Sequence, residues 1–135
     1  MYLRQVEEVI IRALATVTLD THRVEGLTGV WHTRTDGTRV KLASIGVHAR
    51  DWVTWHGVAL NVENDLSTFD HTVPCGIDGV TMSTVARECA LRGLAVPGVD
   101  TINHAVATAT GEVFALSVSP LPETLQTMLM TQHAI

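Results

Sequence analysis

The sequence predicts a single α/β domain that covers residues 1–135. Three observations indicate this fold class: apolar residues at helical spacing over residues 2–18, strand and turn signals over residues 23–62, and helical spacing again after residue 81. Hydrophobic residues make up 46% of the chain, which is typical of a globular protein. No linker or internal repeat divides the sequence, so one core is expected.

The N-terminal segment is the clearest predicted element. Val6, Ile10 and Val17 fall on one face of a helix, and Glu8 and Arg12 fall on the opposite face. Such a pattern predicts a helix that buries its apolar side against a core.

Strand signals follow this helix. Short strands are expected at residues 23–25 and 29–32, where glycines interrupt the apolar runs. The dipeptide Asp36-Gly37 suits the positive φ values of a tight hairpin turn. The chain should therefore return as a strand over residues 40–47.

The next segment predicts one more strand and then a loop. Residues 52–62 are rich in Val, Trp and Thr and should pair with the preceding strand. Residues 63–74 hold many turn-forming residues, so a long polar loop is expected to lead into Cys75. Loops of this kind often carry functional residues.

The C-terminal third predicts helices. Ser83 or Thr81 should cap a helix that Gly93 ends. Beyond it, we expect a helix over residues 101–110, a strand over residues 111–118 and a short helix near residues 125–129.

Composition excludes several classes of protein. The formal net charge of -5 argues against nucleic-acid binding, which needs a surplus of Lys and Arg. Two cysteines are too few for a disulfide framework, so both are expected to be reduced thiols. The sequence contains neither a secretory signal nor an apolar run long enough to cross a bilayer, so a cytoplasmic protein without membrane contact is expected.

Lys41 is the only lysine in the chain, whereas arginine occurs eight times. Arginine stays protonated, but a partly buried lysine can lose its proton and act as a base. A codon bias that replaces surface lysine by arginine would leave the same composition. If the first explanation holds, Lys41 is a candidate catalytic base; if the second holds, it has no chemical role.

Cys75 lies between Pro74, which restricts the backbone, and Gly76, which has no side chain. This arrangement would present a thiol to a ligand, although a buried structural cysteine fits it as well. A nucleophilic thiol needs a nearby cation or base that favours the thiolate. Lys41 is our first candidate for this partner.

Two alternatives to the Cys75 and Lys41 pair remain open. His56 or His71 could serve as the base of a Cys/His pair. A metal site built on His71, Cys75 and Cys89 is also conceivable, but the spacing matches none of the compact zinc patterns, and we expect no metal.

Two segments suit an apolar ligand. Residues 44–46 and 57–59 combine small and apolar side chains, as expected where a ligand chain slides between two strands. Ordinary close packing of strands would give the same pattern. Between Arg34 and Arg50 the chain also holds four basic residues against one acid. This composition predicts a basic patch for an acidic partner, although a solvated hairpin would have the same composition.

Four blocks of sequence stand in a specific order between the first helix and residue 88. They are residues 26–31 (GLTGVW), 41–47 (KLASIGV), 56–62 (HGVALNV), and 65–69 (DLSTF) leading to 73–77 (VPCGI). Together these blocks resemble the lipoyl(octanoyl) transferases of the biotin/lipoate protein ligase family. The resemblance covers about residues 1–90.

The resemblance implies a mixed sheet with flanking helices and transfer of an octanoyl group without a cofactor. The donor would be octanoyl-acyl carrier protein, and the acceptors would be lysines of lipoyl domains of 2-oxoacid dehydrogenases and of the glycine-cleavage H protein. Cys75 matches the residue that carries the acyl thioester, and Lys41 matches its partner base. The substrate-binding residues would be Ser44, Ile45, Gly46, Gly57, Val58 and Ala59, with His56 and Asn61.

One departure from the family pattern concerns the N-terminal half of the domain. Family members carry an Arg-Gly-Gly segment followed by Thr-Tyr-His-Gly-Pro-Gly-Gln, and this sequence has neither. Apolar surface would then stay open unless another chain or a rearranged fold covered it. Two other functions are therefore also open: an inactive or partner-dependent remnant that binds a carrier or lipoyl domain, and a small cysteine hydrolase.

Overall fold

The computed structural model describes residues 2–67, 80–120 and 122. Within these ranges the chain forms three helices and five strands, which confirms the predicted α/β class. In chain order they are α1 (Tyr2–Ala15), β1 (His22–Val24), β2 (Leu27–Thr33), β3 (Arg39–Arg50), β4 (Val53–Leu60), β5 (Thr81–Met82), α2 (Val85–Leu91) and α3 (Val99–Phe114).

The strands form one sheet in the order β1-β2-β3-β4, in which neighbouring strands are antiparallel. The predicted turn at Asp36-Gly37 is confirmed: Arg34 N donates to Thr38 O at 2.9 Å, and Gly37 has φ +84°. The Asp36 carboxylate accepts from Thr38 N at 2.8 Å. Turn chemistry therefore determines where β2 ends and β3 begins.

Strand β3 is the longest strand and changes partners along its length. Its first part pairs with β2 as far as Ala43, and its remainder pairs with β4. The two-residue β5 pairs parallel to β3 at Val40 and Lys41. The sequence did not predict β5, because two residues are too short to show strand periodicity.

Helix α2 differs from the prediction at its N-terminus. Thr84 is the N-cap, and its hydroxyl accepts from Arg87 N at 3.1 Å. Ser83 and Thr81 were the predicted caps, but Ser83 donates to Glu88 and Thr81 lies in β5. Gly93 follows the helix with φ +66°, as predicted for a C-terminal glycine.

Helix α3 is longer than predicted, and the strand expected over residues 111–118 is wrong. The helix continues to Phe114, and Ala115 ends it in a left-handed conformation. Val113 lies four residues after the buried Ala109 and packs partly against the core, which favours continued helix. The helix expected near residues 125–129 lies outside the described residues.

The core lies between α1, α3 and one face of the sheet. It contains Val9, Ile10, Ala13, Leu14, Leu19, Val30, Leu42, Ala43, Val85, Cys89, Ile102, Ala105 and Ala109. Among the residues that the structure describes, no helix has the length and apolar character needed to cross a membrane.

Candidate functional site

Lys41 lies near the middle of β3 and is 1% exposed. Side chains alternate along a strand, so Lys41 points away from the face on which Leu42 joins the core. Its Cα pairs with that of Trp31 on β2, and its Nζ lies 5.3 Å from the centroid of the Trp31 ring. This distance allows a cation–π interaction, which partly offsets the cost of burying an ammonium group.

Gly29 lies against the side chain of Lys41. A Cβ atom on Gly29 would come within 2.6 Å of Lys41 Cε and 2.4 Å of Ala43 O, and Gly29 has φ +123°. Only glycine fits this position without displacing the lysine. Sequence reasoning placed Gly29 in one of the four family blocks but assigned it no role, because its contact is with a residue on the neighbouring strand.

The two small-residue segments lie side by side. Gly46 pairs with Gly57, Ser44 with Ala59 and Ile45 with Val58. The same residues, together with Val47, His48 and His56, line an open depression of about 650 Å³.

This pairing corrects one detail of the prediction. Strands joined by hydrogen bonds lie only about 4.8 Å apart, so an acyl chain has no room to slide between β3 and β4. A ligand on these segments must lie across a face of the two strands.

His56 lies in the middle of β4, and Asn61 directly follows the last residue of this strand. His56 is exposed, has φ +70° and pairs with Val47, six residues along β3 from Lys41, or about 20 Å at the usual rise per residue. The structure therefore does not bring His56 to Lys41. Asn61 is buried, and its backbone N–H donates to Leu42 O at 2.9 Å. The Asn61 side chain accepts from Asn64 at 3.2 Å, so Asn61 ties the end of β4 to β3.

Cys75 and His71 lie outside the described residues. The proposed pairing of Cys75 with Lys41 therefore stays a prediction, as does a role for His71. Cys89 is buried in α2, and burial raises the pKa of its thiol above the ordinary value. In residues 2–67 and 80–120, no group of three metal-binding side chains occurs.

A buried network that the sequence did not predict connects α2 to the Lys41 region. Ser83 N donates to Lys41 O at 3.0 Å, and Ser83 Oγ donates to the buried carboxylate of Glu88. Arg34 donates to both oxygens of Glu88, at 2.6 and 3.0 Å. Glu88 and Arg34 are 54 positions apart in the chain, so no local pattern indicates that they meet.

The basic patch predicted between Arg34 and Arg50 does not form. Lys41 is buried, Arg34 is bound to Glu88, and Arg50 lies at the far end of β3 with its Nε 3.5 Å from Asp51. Neighbours in a strand point to opposite faces, and β3 is long enough to separate its ends. Arg34, Lys41 and Arg50 are therefore close in the sequence but do not lie on one surface.

Comparisons with known proteins identify the family of this chain. The family model described as lipoyl protein ligase A/B catalytic domain matches residues 1–110. The octanoyltransferase of Geobacter sulfurreducens is 43% identical over 122 residues, which are 90% of this chain and 47% of that protein. The octanoyltransferase of Nitrobacter hamburgensis is 45% identical over 121 residues, which are 87% of this chain and 49% of that protein.

A solved structure shares the fold. It contains an archaeal bi-partite lipoate protein ligase and its E2 lipoyl domain from Thermoplasma acidophilum, and it matches with a TM-score of 0.68 and 15% identity, over 96% of this chain and 52% of that one. The chain thus spans about half the length of the curated relatives it matches. Because the family model covers most of the sequence, the chain belongs to the lipoyl protein ligase A/B catalytic domain family.

Proposed function

We propose that this chain is the cysteine-bearing part of an octanoyltransferase, with Cys75 as the nucleophile and Lys41 as its partner base. The Cys75 thiolate attacks the thioester carbonyl of octanoyl-acyl carrier protein. A bond forms between Cys75 Sγ and the acyl carbon, and the donor's carbon–sulfur bond breaks. The carrier leaves as a thiol by taking the proton that Lys41 had accepted from the Cys75 thiol, which returns Lys41 to its neutral form. A lysine of a lipoyl domain then attacks octanoyl-Cys75. An amide bond forms between its amine and the acyl carbon, the Cys75 carbon–sulfur bond breaks to release the Cys75 thiolate, and Lys41 accepts the proton of the attacking amine.

The single observation that carries this proposal is the burial of Lys41. The only lysine of the chain lies on the central strand, within a fold whose curated relatives carry the name octanoyltransferase. Thioester-to-thioester exchange is nearly balanced, and the amide product drives the second step, so the scheme uses neither ATP nor a metal. The apolar depression on β3 and β4 is the proposed support for the acyl chain, at Ser44, Ile45, Gly46, Gly57, Val58 and Ala59.

The proposed partners follow from the same chemistry. The acyl donor is octanoyl-acyl carrier protein, and the acceptors are lipoyl domains of 2-oxoacid dehydrogenases and the glycine-cleavage H protein. The archaeal structure that shares the fold is that of a ligase and its lipoyl domain, which supports a lipoyl-domain acceptor. We place the reaction in the cytoplasm, with neither nucleic acid nor membrane as a partner.

Mass spectrometry after incubation with octanoyl-acyl carrier protein tests the nucleophile. We expect an octanoyl adduct on the wild-type chain and on Cys89→Ala, the matched control, because the buried Cys89 thiol is held in its neutral form. Cys75→Ala should carry no adduct. An adduct that survives in Cys75→Ala rules out the assignment. Release of free octanoate in place of octanoylated lysine would instead identify a cysteine hydrolase.

The second candidate is a partner-dependent subunit, and one part of the fold favours it. Residues 44–60 form a two-stranded segment, the distal ribbon, beyond the last residue that pairs with β2. Within the described ranges, the portions of β3 and β4 that form this ribbon pair only with each other. Its apolar side chains Trp52, Val53, Trp55 and Val58 are exposed. Two-stranded ribbons are marginally stable, and open edges favour pairing with another chain.

Hydrogen exchange and size measurement test this second candidate. Adding the upstream half of an octanoyltransferase as a separate polypeptide should produce a complex and slow amide exchange in the distal ribbon. Trp52→Ser should weaken the complex, whereas Leu116→Ser, at an exposed apolar residue outside the ribbon, should not. If the chain forms the octanoyl adduct alone and binds no upstream half, a self-contained enzyme is the better description.

A further inference from the structure

Glu7 is a buried carboxylate whose two oxygens have different partners. Glu7 Oε2 accepts from Arg4 Nη1 at 2.7 Å and from Arg23 Nε at 3.1 Å. Glu7 Oε1 accepts from the backbone N–H of Gly29 at 3.1 Å. The side chain of Glu7 is 0% exposed, and a carboxylate in such a place is tolerated only when hydrogen bonds replace its water.

The arginine contacts alone do not require this burial. Arg4 and Arg23 are each partly exposed, and the neighbouring Glu8 binds Arg23 from a more accessible position, with Glu8 Oε2 accepting from Arg23 Nη2 at 2.6 Å. What distinguishes Glu7 from Glu8 is the contact with Gly29. Glu7 therefore connects α1 to the peptide that lies against Lys41.

We propose that Glu7 is a positioning residue for Lys41 and acts through Gly29. Glu7 holds the Gly29 peptide at φ +123°, in contact with Lys41 Cε, while the Trp31 ring lies near the ammonium group. Gly29 and Trp31 together restrict where Lys41 Nζ can lie. The chemical consequence for acyl transfer rests on the proposed function of Lys41, but the geometric claim does not.

Magnetic resonance on the full chain tests the geometry directly. Because Lys41 is the only lysine, labelling with [13C]lysine gives one side-chain spin system. In the wild-type chain we expect ring-current-shifted signals from the Lys41 Cε protons and a nuclear Overhauser contact between these protons and the Gly29 Hα protons. The Gly29 amide should exchange slowly with solvent.

Glu7→Met and Glu8→Met form the matched pair of variants. Both remove one carboxylate bound to Arg23, but only Glu7→Met removes the acceptor of the Gly29 N–H. We expect Glu7→Met to move the Lys41 Cε signals towards their unshifted values and to speed exchange of the Gly29 amide. Glu8→Met should leave both readouts as in the wild type.

Each outcome bears on the proposal. A folded Glu7→Met chain with wild-type Lys41 signals overturns it, and so does the absence of the Gly29 to Lys41 contact in the wild-type chain. If Glu7→Met does not fold, the two wild-type readouts test the proposal instead. The Gly29 to Lys41 contact together with slow exchange of the Gly29 amide supports it, and the loss of either contradicts it. Should the wild-type chain form the octanoyl adduct, Glu7→Met should lower kcat about tenfold to a hundredfold with a smaller change in KM, because misplacement of a base affects the chemical step. If the magnetic resonance results are as expected but the wild-type chain forms no octanoyl adduct, the proposed function is contradicted and the positioning role of Glu7 is not.

Discussion

Among the residues that the structure describes, three side chains that end in a carboxyl or an amino group are fully buried: Glu7, Lys41 and Glu88. Each carboxylate meets arginine and a neutral donor, and the ammonium group of Lys41 meets the Trp31 ring. A buried charge without such contacts would cost several kcal/mol. At the scale of single residues, these three positions are therefore the ones at which substitution should have the largest effects.

Glu88 should make the stability of the chain depend on pH. Burial opposes its ionisation, but hydrogen bonds from Arg34 and Ser83 outweigh burial and hold the pKa of Glu88 below its ordinary value. The ionised form therefore stabilises the fold above the ordinary carboxylate pKa, and this contribution is lost as pH falls through the lowered, folded-state pKa. Urea unfolding at a series of pH values should show this loss on acidification.

Glu88→Gln provides the variant for this prediction. It leaves Arg34 without its carboxylate and should lower the free energy of unfolding at neutral pH by about 3 kcal/mol, with a weaker dependence on acid pH. Glu112→Gln is the control, since Glu112 is exposed and its contact with Arg12 is 3.6 Å. Equal effects of the two substitutions would contradict a special role for the Glu88 network.

At the scale of elements, local hydrogen bonds and turn conformation determine where helices and strands begin and end. Helix α2 begins at Val85 because the hydroxyl of the N-cap Thr84 accepts from Arg87 N, while the hydroxyl of Ser83 donates to Glu88. The turn between β3 and β4 places both Asp51 and Trp52 at positive φ, +51° and +65°. Such a two-residue turn favours glycine at the second position, so Trp52 is strained there.

Thr84→Ala should lower the free energy of unfolding by about 1 kcal/mol, because the Arg87 N–H loses its acceptor at the first turn of α2. Thr81→Ala is the matched control, since Thr81 is exposed in β5. Chemical denaturation of both variants compares the two. If Thr81→Ala costs as much as Thr84→Ala, the assignment of the cap is incorrect.

Trp52→Gly should stabilise the distal ribbon by about 0.5–1 kcal/mol, because glycine adopts positive φ without steric cost. Amide exchange in β3 and β4 measures this directly. Val53→Gly is the control, because Val53 belongs to β4 and glycine weakens a strand. Faster exchange in Trp52→Gly than in the wild type would show that the indole stabilises the ribbon in a way that outweighs its backbone strain.

At the scale of the whole molecule, the chain consists of a packed layer and a projecting ribbon. Helices α1 and α3 cover one face of the sheet over a shared core, whereas the distal ribbon extends beyond β2 with its apolar side chains exposed. Stability should therefore reside in the core, and the ribbon should be the region that responds to a partner.

Leu14→Ala tests where stability resides. Leu14 is fully buried in the core, so its truncation should cost about 3 kcal/mol through lost burial and a residual cavity. Leu91→Ala makes the same chemical change at an exposed residue of α2 and should cost less than about 1 kcal/mol. Helical circular dichroism and Trp fluorescence should follow the unfolding together. A small effect of Leu14→Ala would contradict the single shared core.

Local patterns in the sequence were enough for much of this fold. The spacing of Val6 and Ile10 predicted α1, the turn chemistry of Asp36-Gly37 predicted the β2–β3 hairpin, and the composition of residues 52–62 predicted a strand beside β3. Each of these signals arises among residues close together in the chain, where periodicity and turn preference act. The single occurrence of lysine made Lys41 a candidate, and the neighbours Pro74 and Gly76 made Cys75 one. The role of Cys75 stays a prediction from these neighbours and from the resemblance.

The tertiary structure alone decided how Lys41 is held. Lys41 in β3 is buried against Trp31 and Gly29 of β2, and Gly29 is in turn bound by Glu7 of α1. The tertiary structure also decided that Thr84 caps α2 and that Arg34, Lys41 and Arg50 share no surface. The physical reason is the same in each case: the free energy of a buried polar group depends on which distant groups fold against it, and a linear pattern does not contain that information.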